Sequence, residues 1–158
     1  MARTQKDIEE AIALTRSNDF LRAFAAFVAI YGTEDAPPIQ SAKDARGLSF
    51  FGLCVALVQK KYKPAIDLCR RALDLEFYNG DHYANLALVY DFSGKRKKAV
   101  ETADNGLRVA PEHPYLRSVR KSFGVRSRPA LPILDRSNPI NVTLGIARHA
   151  KKVERRKK

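Results

Sequence analysis

Residues 83–111 read YANLALVYDFSGKRKKAVETADNGLRVAP, and this stretch decides the fold. Tyr83, Leu86, Ala87 and Tyr90 recur at spacings of three and four, the period of one helix face. Ser93-Gly94 then breaks the period with two turn-forming residues. Helical spacing resumes at Arg96 and brings Ala99, Ala103 and Gly106 to one side. Pro111 stops it, because proline has no N–H for the helical ladder. Two helices joined by a tight turn are predicted. The shared face of small residues lets the two backbones approach closely.

The same template recurs upstream. Ala65 and Ala99 are 34 residues apart, and at that offset KKYKPAIDLCRRALDLEF (60–77) overlays GKRKKAVETADNGLRVAP (94–111). Each copy has Ala, a second residue four on (Cys69, Ala103) and a small residue three further (Ala72, Gly106). The segment NDFLRAFAAFVAIY fits through Ala23, Phe27 and Ile30. Ala23 and Ala65 are 42 residues apart, so eight extra residues fall in the loop Gly32–Gln40 around Pro37-Pro38. Thr4-x-x-Asp7 and Ser41-x-x-Asp44 have capping-box form and open helices. In the first helix Ile8, Ala11, Ile12 and Leu14 point inward. The helix after Ser41 is rich in Leu48, Phe51, Leu53, Val55 and Leu57. Gln59 to Lys61 reads as a turn, Pro64 suits the first turn of the next helix, and Asn79-Gly80 is read as its end. Pro114 starts a shorter helix to about Phe123. No strand-like alternation of useful length is present.

This pattern resembles the tetratricopeptide repeat family. The copy that carries the resemblance is Tyr83-x-x-Leu86-Ala87-x-x-Tyr90, then Ala99, Ala103, Gly106 and Pro111. A weaker copy runs through Ser49, Gly52-Leu53, Ala56, Ala65, Cys69 and Ala72, with Phe77 where proline is expected. The resemblance implies an all-α solenoid of helix hairpins: three pairs and a capping helix over residues 1–123, with a separate segment 124–158. Three units suffice for a continuous core.

In that family the first helix of each pair lines a concave groove. The resemblance places Gln5, Ile8, Glu9, Ile12, Thr15 and Arg16 there from the first pair. It adds Phe50, Phe51, Cys54, Leu57 and Val58 from the second, and Asp81, Ala84, Asn85, Leu88, Asp91 and Phe92 from the third. The groove is apolar, with Phe50, Leu57, Leu88 and Phe92 prominent. An exposed apolar patch of this kind calls for a cover, either a partner's apolar peptide or helix or the chain's own tail. Asn85 matches the family's backbone-binding asparagine. Phe92 replaces a cation needed to clamp a C-terminal carboxylate.

Charge divides the chain of 158 residues. Residues 1–113 carry 16 Lys+Arg and 15 Asp+Glu, whereas residues 114–158 carry 13 Lys+Arg and 2 Asp+Glu. A nearly neutral body with a basic arm points to an anionic partner: RNA, DNA or an acidic protein. Asn138-Pro139 has the form of a cap followed by a helical first residue. The helix it opens has Ile140, Thr143, Leu144, Ala147 and Ile146 on one face and ends in Arg148, Lys151, Lys152, Arg155 and Arg156. Pro129, Leu131, Pro132, Ile133 and Leu134, with Leu144 and Ile146, are expected to be covered rather than exposed.

Several classes are disfavoured. No run approaches the roughly 20 apolar residues of a membrane span, and MARTQKDIEEAIA lacks a signal-peptide core, so a cytoplasmic protein is expected. Cys54 and Cys69 have no disulfide or metal spacing and are read as core. His82, His113 and His149 form no catalytic or ligand pattern and are read as surface or cap residues. No phosphate loop or catalytic set stands out. The expectation is a non-enzymatic adaptor, scaffold or chaperone that needs no cofactor, metal or small-molecule substrate. The alternative is a nucleic-acid- or ribosome-associated protein that grips phosphates with its arm.

Overall fold

Among the described residues of the first 123, seven α-helices follow one another, with one π-helical turn among them. The computed structural model describes residues 5–32, 44–124, 138–140 and 142–147. The helices are α1 (Gln5–Arg16), α2 (Phe20–Tyr31), α3 (Ala45–Cys54), α4 (Tyr62–Leu75), α5 (Gly80–Phe92), α6 (Arg96–Val109) and α7 (Pro114–Ser122). The π turn, Val55–Gln59, continues α3. The described residues are all-helical or turn, and none is in a strand. The chain divides into two units, Met1–Phe123 and Gly124–Lys158.

In the first unit α1 packs on α2, α3 on α4 and α5 on α6, while α3, α5 and α7 pack side by side. Small residues set the hairpin spacing. A methyl group added at Gly52 would lie 2.8 Å from the Ala65 carbonyl oxygen and 2.8 Å from Cys69 Sγ. At Gly106 it would lie 2.5 Å from the Tyr83 side chain. Ala65, Ala72, Ala99 and Ala103 are fully buried beside these contacts. Aromatic rings fasten α2 to α3: Phe24, Phe27 and Tyr31 lie 5.8–6.1 Å, centroid to centroid, from Phe51. Burying rings of this size stabilises a core by about 1.5–3 kcal/mol each.

Helix ends follow local chemistry. Asn18, in the left-handed region at φ 65°, reverses the chain, and Asp19 caps α2 by accepting from the Arg22 amide. Lys60, at φ 59°, reverses it after the π turn, so the sequence reading of a turn over Gln59–Lys61 narrows to its last two residues. Asn79-Gly80 begins α5 instead of ending α4. α4 stops at Leu75, and Asn79 is extended, with Oδ1 accepting from the Asp81 amide at 3.0 Å. Asp44 precedes α3 without a side-chain cap bond. Its expected partner Ser41, Thr4 of the other capping box and the Pro37-Pro38 loop lie outside the described residues.

In the second unit, residues 139–140 and 142–147 are helical. Asn138 caps them, with Oδ1 accepting from the Ile140 amide at 3.0 Å. Leu144 and Ile146 lie in this helical stretch. Pro129 to Leu134 and the basic residues Arg148, Lys151, Lys152, Arg155 and Arg156 lie outside the described residues.

Candidate functional site

An apolar cavity of about 540 Å³ lies among α1, α3 with its π turn, α5 and α7. Its lining is Thr15, Arg16, Asn18, Phe20, Phe50, Leu53, Leu57, Leu88, Phe92 and Tyr115. The volume is in the range of pockets that enclose a small ligand or a few side chains. Phe92, at the end of α5, is 44% exposed and stands at the opening. Leu57 belongs to the π turn, whose wider winding alters which side chains follow α3 on this face.

Six of the residues placed in a groove by the sequence meet here: Thr15, Arg16, Phe50, Leu57, Leu88 and Phe92. Ile12, Phe51, Cys54 and Asn85 do not line the cavity and are no more than 2% exposed. Phe51 packs on the α2 rings. Cys54 Sγ is 3.4 Å from Thr15 Oγ1, and burial pushes its thiol up to about 11, opposed by that hydrogen bond. Cys69 is fully buried and also raised, by burial first and then by Cys54. Neither sulfur is a thiolate at neutral pH, so both behave as small core residues. Asn18, Phe20, Leu53 and Tyr115 were not read as lining residues.

Asn85 belongs to a buried hydrogen-bond chain that reaches the cavity wall. Glu76 Oε2 lies 3.3 Å from His82 Nε2, and His82 Nδ1 lies 3.0 Å from Ser49 Oγ. Asn85 Nδ2 donates to Ser49 Oγ at 3.0 Å, and Tyr115 donates from its hydroxyl to Asn85 Oδ1 at 3.1 Å. Burial lowers the His82 pKa, against the raising effect of the Glu76 hydrogen bond, so the ring is neutral. A carboxylate only accepts, so the single ring proton sits on Nε2 and faces Glu76. Nδ1 is then an acceptor for the single Ser49 hydroxyl proton, which it shares with the Arg46 carbonyl oxygen 3.2 Å from Ser49 Oγ, and the Asn85 amide sets the direction of the two later bonds. His82 is therefore a fully buried link and not a surface residue, whereas His113 does cap α7. Burial, reinforced by Asp81, raises the Tyr115 hydroxyl to about 12.

A second polar tie crosses the same helices. Asp81, whose side chain is 5% exposed, accepts from Arg16 Nη2 at 3.2 and 3.3 Å and from Arg46 Nε at 3.2 Å. His113 Nε2 is 3.6 Å away. Arg46 also reaches Glu9 at 3.0 Å. The Arg16 guanidinium stands 5.5 Å from the centre of the Phe50 ring, placing a cation beside the apolar lining.

Among the described residues no group of three His, Cys, Asp or Glu side chains is arranged to hold a metal. No described helix is long and apolar enough to cross a membrane. The chain matches no protein-family model and no curated protein.

Proposed function

We propose that this protein is a non-enzymatic interaction adaptor of tetratricopeptide-repeat type, acting in the cytoplasm as a scaffold or chaperone. An apolar peptide or helix of the partner enters the cavity among α1, α3, α5 and α7. The observation that carries this reading is the opening between Phe50, Leu57, Leu88 and Phe92, an apolar surface left without a cover among the described residues of the first unit. The pairwise packing of α1–α2, α3–α4 and α5–α6 supports the repeat assignment. Inserting one or two large apolar side chains gains about 1.5–3 kcal/mol each, enough for a micromolar complex once several such contacts combine.

Selection of a displayed library of about 12-residue peptides on the full-length protein tests this. Enriched peptides are expected to be apolar, to bind with little salt dependence and to lose at least tenfold in affinity to the Leu88→Asp variant. Failure to enrich any sequence, or equal binding to a folded Leu88→Asp protein, refutes the reading.

A second reading, favoured by the excess of 13 Lys+Arg over 2 Asp+Glu in residues 114–158, is nucleic-acid binding through the basic arm. Deleting residues 148–158 then flattens the salt dependence of RNA or DNA binding.

A further inference from the structure

The first 113 residues are nearly neutral in total, yet their cations gather at one edge. α3 and α5 run in the same direction. Arg46 and Asp81, at the starts of the two helices, are 3.2 Å apart, while Leu57 and Phe92, at their ends, line one cavity. The chain therefore leaves both at the same end, through the turns into α4 and α6. Lys60, Lys61 and Lys63 lie in or beside the first turn, and Lys95, Arg96, Lys97 and Lys98 in or beside the second. These are seven of the 16 cations in residues 1–113. Asp91 holds Arg96 at 3.2 Å, and Glu101 is 4.0 Å from Lys97. Lys60, Lys63, Lys95 and Lys98 have no carboxylate partner among the described residues.

This charge serves the fold only in part: Arg96 pairs with Asp91 and stands 5.8 Å from the Phe123 ring centre, and Lys98 stands 6.0 Å from that of Tyr90, whereas Lys60, Lys63 and Lys95 make no such contact among the described residues. Cations near a helix N-terminus oppose the macrodipole. α4 and α6 are each preceded by a lysine, Lys61 and Lys95, with no capping side chain and no acid in the first turn, whereas Asp19, Asn79 and His113 cap α2, α5 and α7. Two rings stand among the cations. Phe92 is 44% exposed just before the second turn, and the half-buried Tyr62 sits between Lys61 and Lys63. Ammonium groups beside an exposed flat ring match single-stranded nucleic acid, whose phosphates and bases need both. An acidic peptide uses only the charges. The basic arm has charge but no Phe, Tyr or Trp over 148–158.

We infer that the edge formed by the α3–α4 and α5–α6 turns binds single-stranded nucleic acid, with phosphates on Lys60, Lys63, Lys95 and Lys98 and a base stacked on Phe92. The site is independent of the arm, and it meets the peptide cavity at Phe92, which stands at the rim of that opening.

Fluorescence anisotropy of the full-length protein with a labelled oligouridine of about 20 nucleotides, across a potassium chloride series, tests this. Combined Lys60→Gln, Lys63→Gln, Lys95→Gln and Lys98→Gln is expected to weaken binding at least tenfold at about 50 mM salt. The log–log salt slope should fall by about 2–3, near 0.7 for each lost phosphate contact. Phe92→Ala should weaken binding about five- to a hundredfold at unchanged slope, with Phe92→Trp restoring it. Heparin, which has charge but no bases, should respond to the lysine changes and not to Phe92→Ala. The lysine variant should melt no lower than the parent, which separates lost binding from lost folding. The inference is overturned if the parent does not bind oligouridine, if the lysine changes leave the slope unchanged, if only deletion of 148–158 matters, or if Phe92→Ala has no effect or acts equally on heparin.

Discussion

Replacing Gly52 with Ala sets two opposed effects against each other, and the structure says which wins. In an exposed helix the change stabilises by about 0.5–1 kcal/mol, because alanine has less backbone entropy to lose. Here the new methyl carbon would stand 2.8 Å from the Ala65 carbonyl oxygen and 2.8 Å from Cys69 Sγ. An ordinary carbon–oxygen contact is about 3.4 Å, so the overlap with the oxygen is roughly 0.6 Å, and the overlap with the larger sulfur is greater. The carbonyl is backbone in α4 and cannot turn aside, so α3 and α4 must separate along their length. Overpacking of this kind costs about 1–3 kcal/mol. The net expectation is a loss of about 1–2 kcal/mol, or a melting temperature lower by roughly 4–8 °C. Urea unfolding followed by far-ultraviolet circular dichroism measures it. Gly145→Ala is the control, because that helical glycine has nothing within 4 Å of the added carbon. A Gly52→Ala protein as stable as the parent, or more so, would refute the close approach of the two helices.

Stability should fall as pH drops through about 6.5, because folding lowers the pKa of His82 and the unfolded chain then binds the extra proton. The loss levels off below the folded-state pKa, and His82→Gln should remove this component from a series of urea midpoints between pH 5 and 8. Asp81→Asn strips the shared carboxylate from Arg16 and Arg46. Since Arg16 is half exposed, water screens part of the effect, and a loss of about 1–2 kcal/mol in urea unfolding is expected. Lys95→Asp gives α6 a capping side chain and removes a cation from its positive end, so a gain of about 0.5–1.5 kcal/mol is expected, together with weaker oligouridine binding.

Much of the helical layout is written in local signals. Ala99, Ala103 and Gly106 are small residues at helical spacing, and the structure puts them in the α5–α6 seam. The π turn left no such signal: Val55-Ala56-Leu57-Val58 fits a helical period whether the turn holds four residues or five. Asn79 can end one helix or start the next, and its role depends on where Phe77 and Tyr78 turn the chain. The cavity was legible only in part. Phe50 and Leu57 are as apolar as Phe51 and Cys54, and periodicity alone does not say which of them meets α2 and which meets α5. Asn18 and Phe20 sit at a turn, where side-chain direction depends on the φ of 65° at Asn18. Tyr115 lies beyond the copy that carries the repeat pattern. His82 looked isolated because its partners Ser49 and Glu76 are 33 and 6 residues away and share no motif.

The polar ties explain why a cavity persists between helices that pack closely elsewhere. Arg46, Asp81 and His113 join the starts of α3, α5 and α7, and Ser49, His82, Asn85 and Tyr115 join them again about one turn further on. The bonds at the ends of the second chain have fixed directions, because the Glu76 carboxylate can only accept and the Asn85 amide donates from Nδ2 and accepts at Oδ1. Sliding one helix by a turn would leave a buried donor or acceptor unpaired, at about 1–3 kcal/mol per group. The starts of the three helices are therefore held in register. Towards the far end of α3 and α5 the facing side chains are Leu57, Leu88 and Phe92, which have no directional bonds and meet at the cavity. An apolar gap could close by sliding or tilting only if the tied end moved as well. The cavity is thus preformed, and an entering apolar side chain finds its walls already spaced.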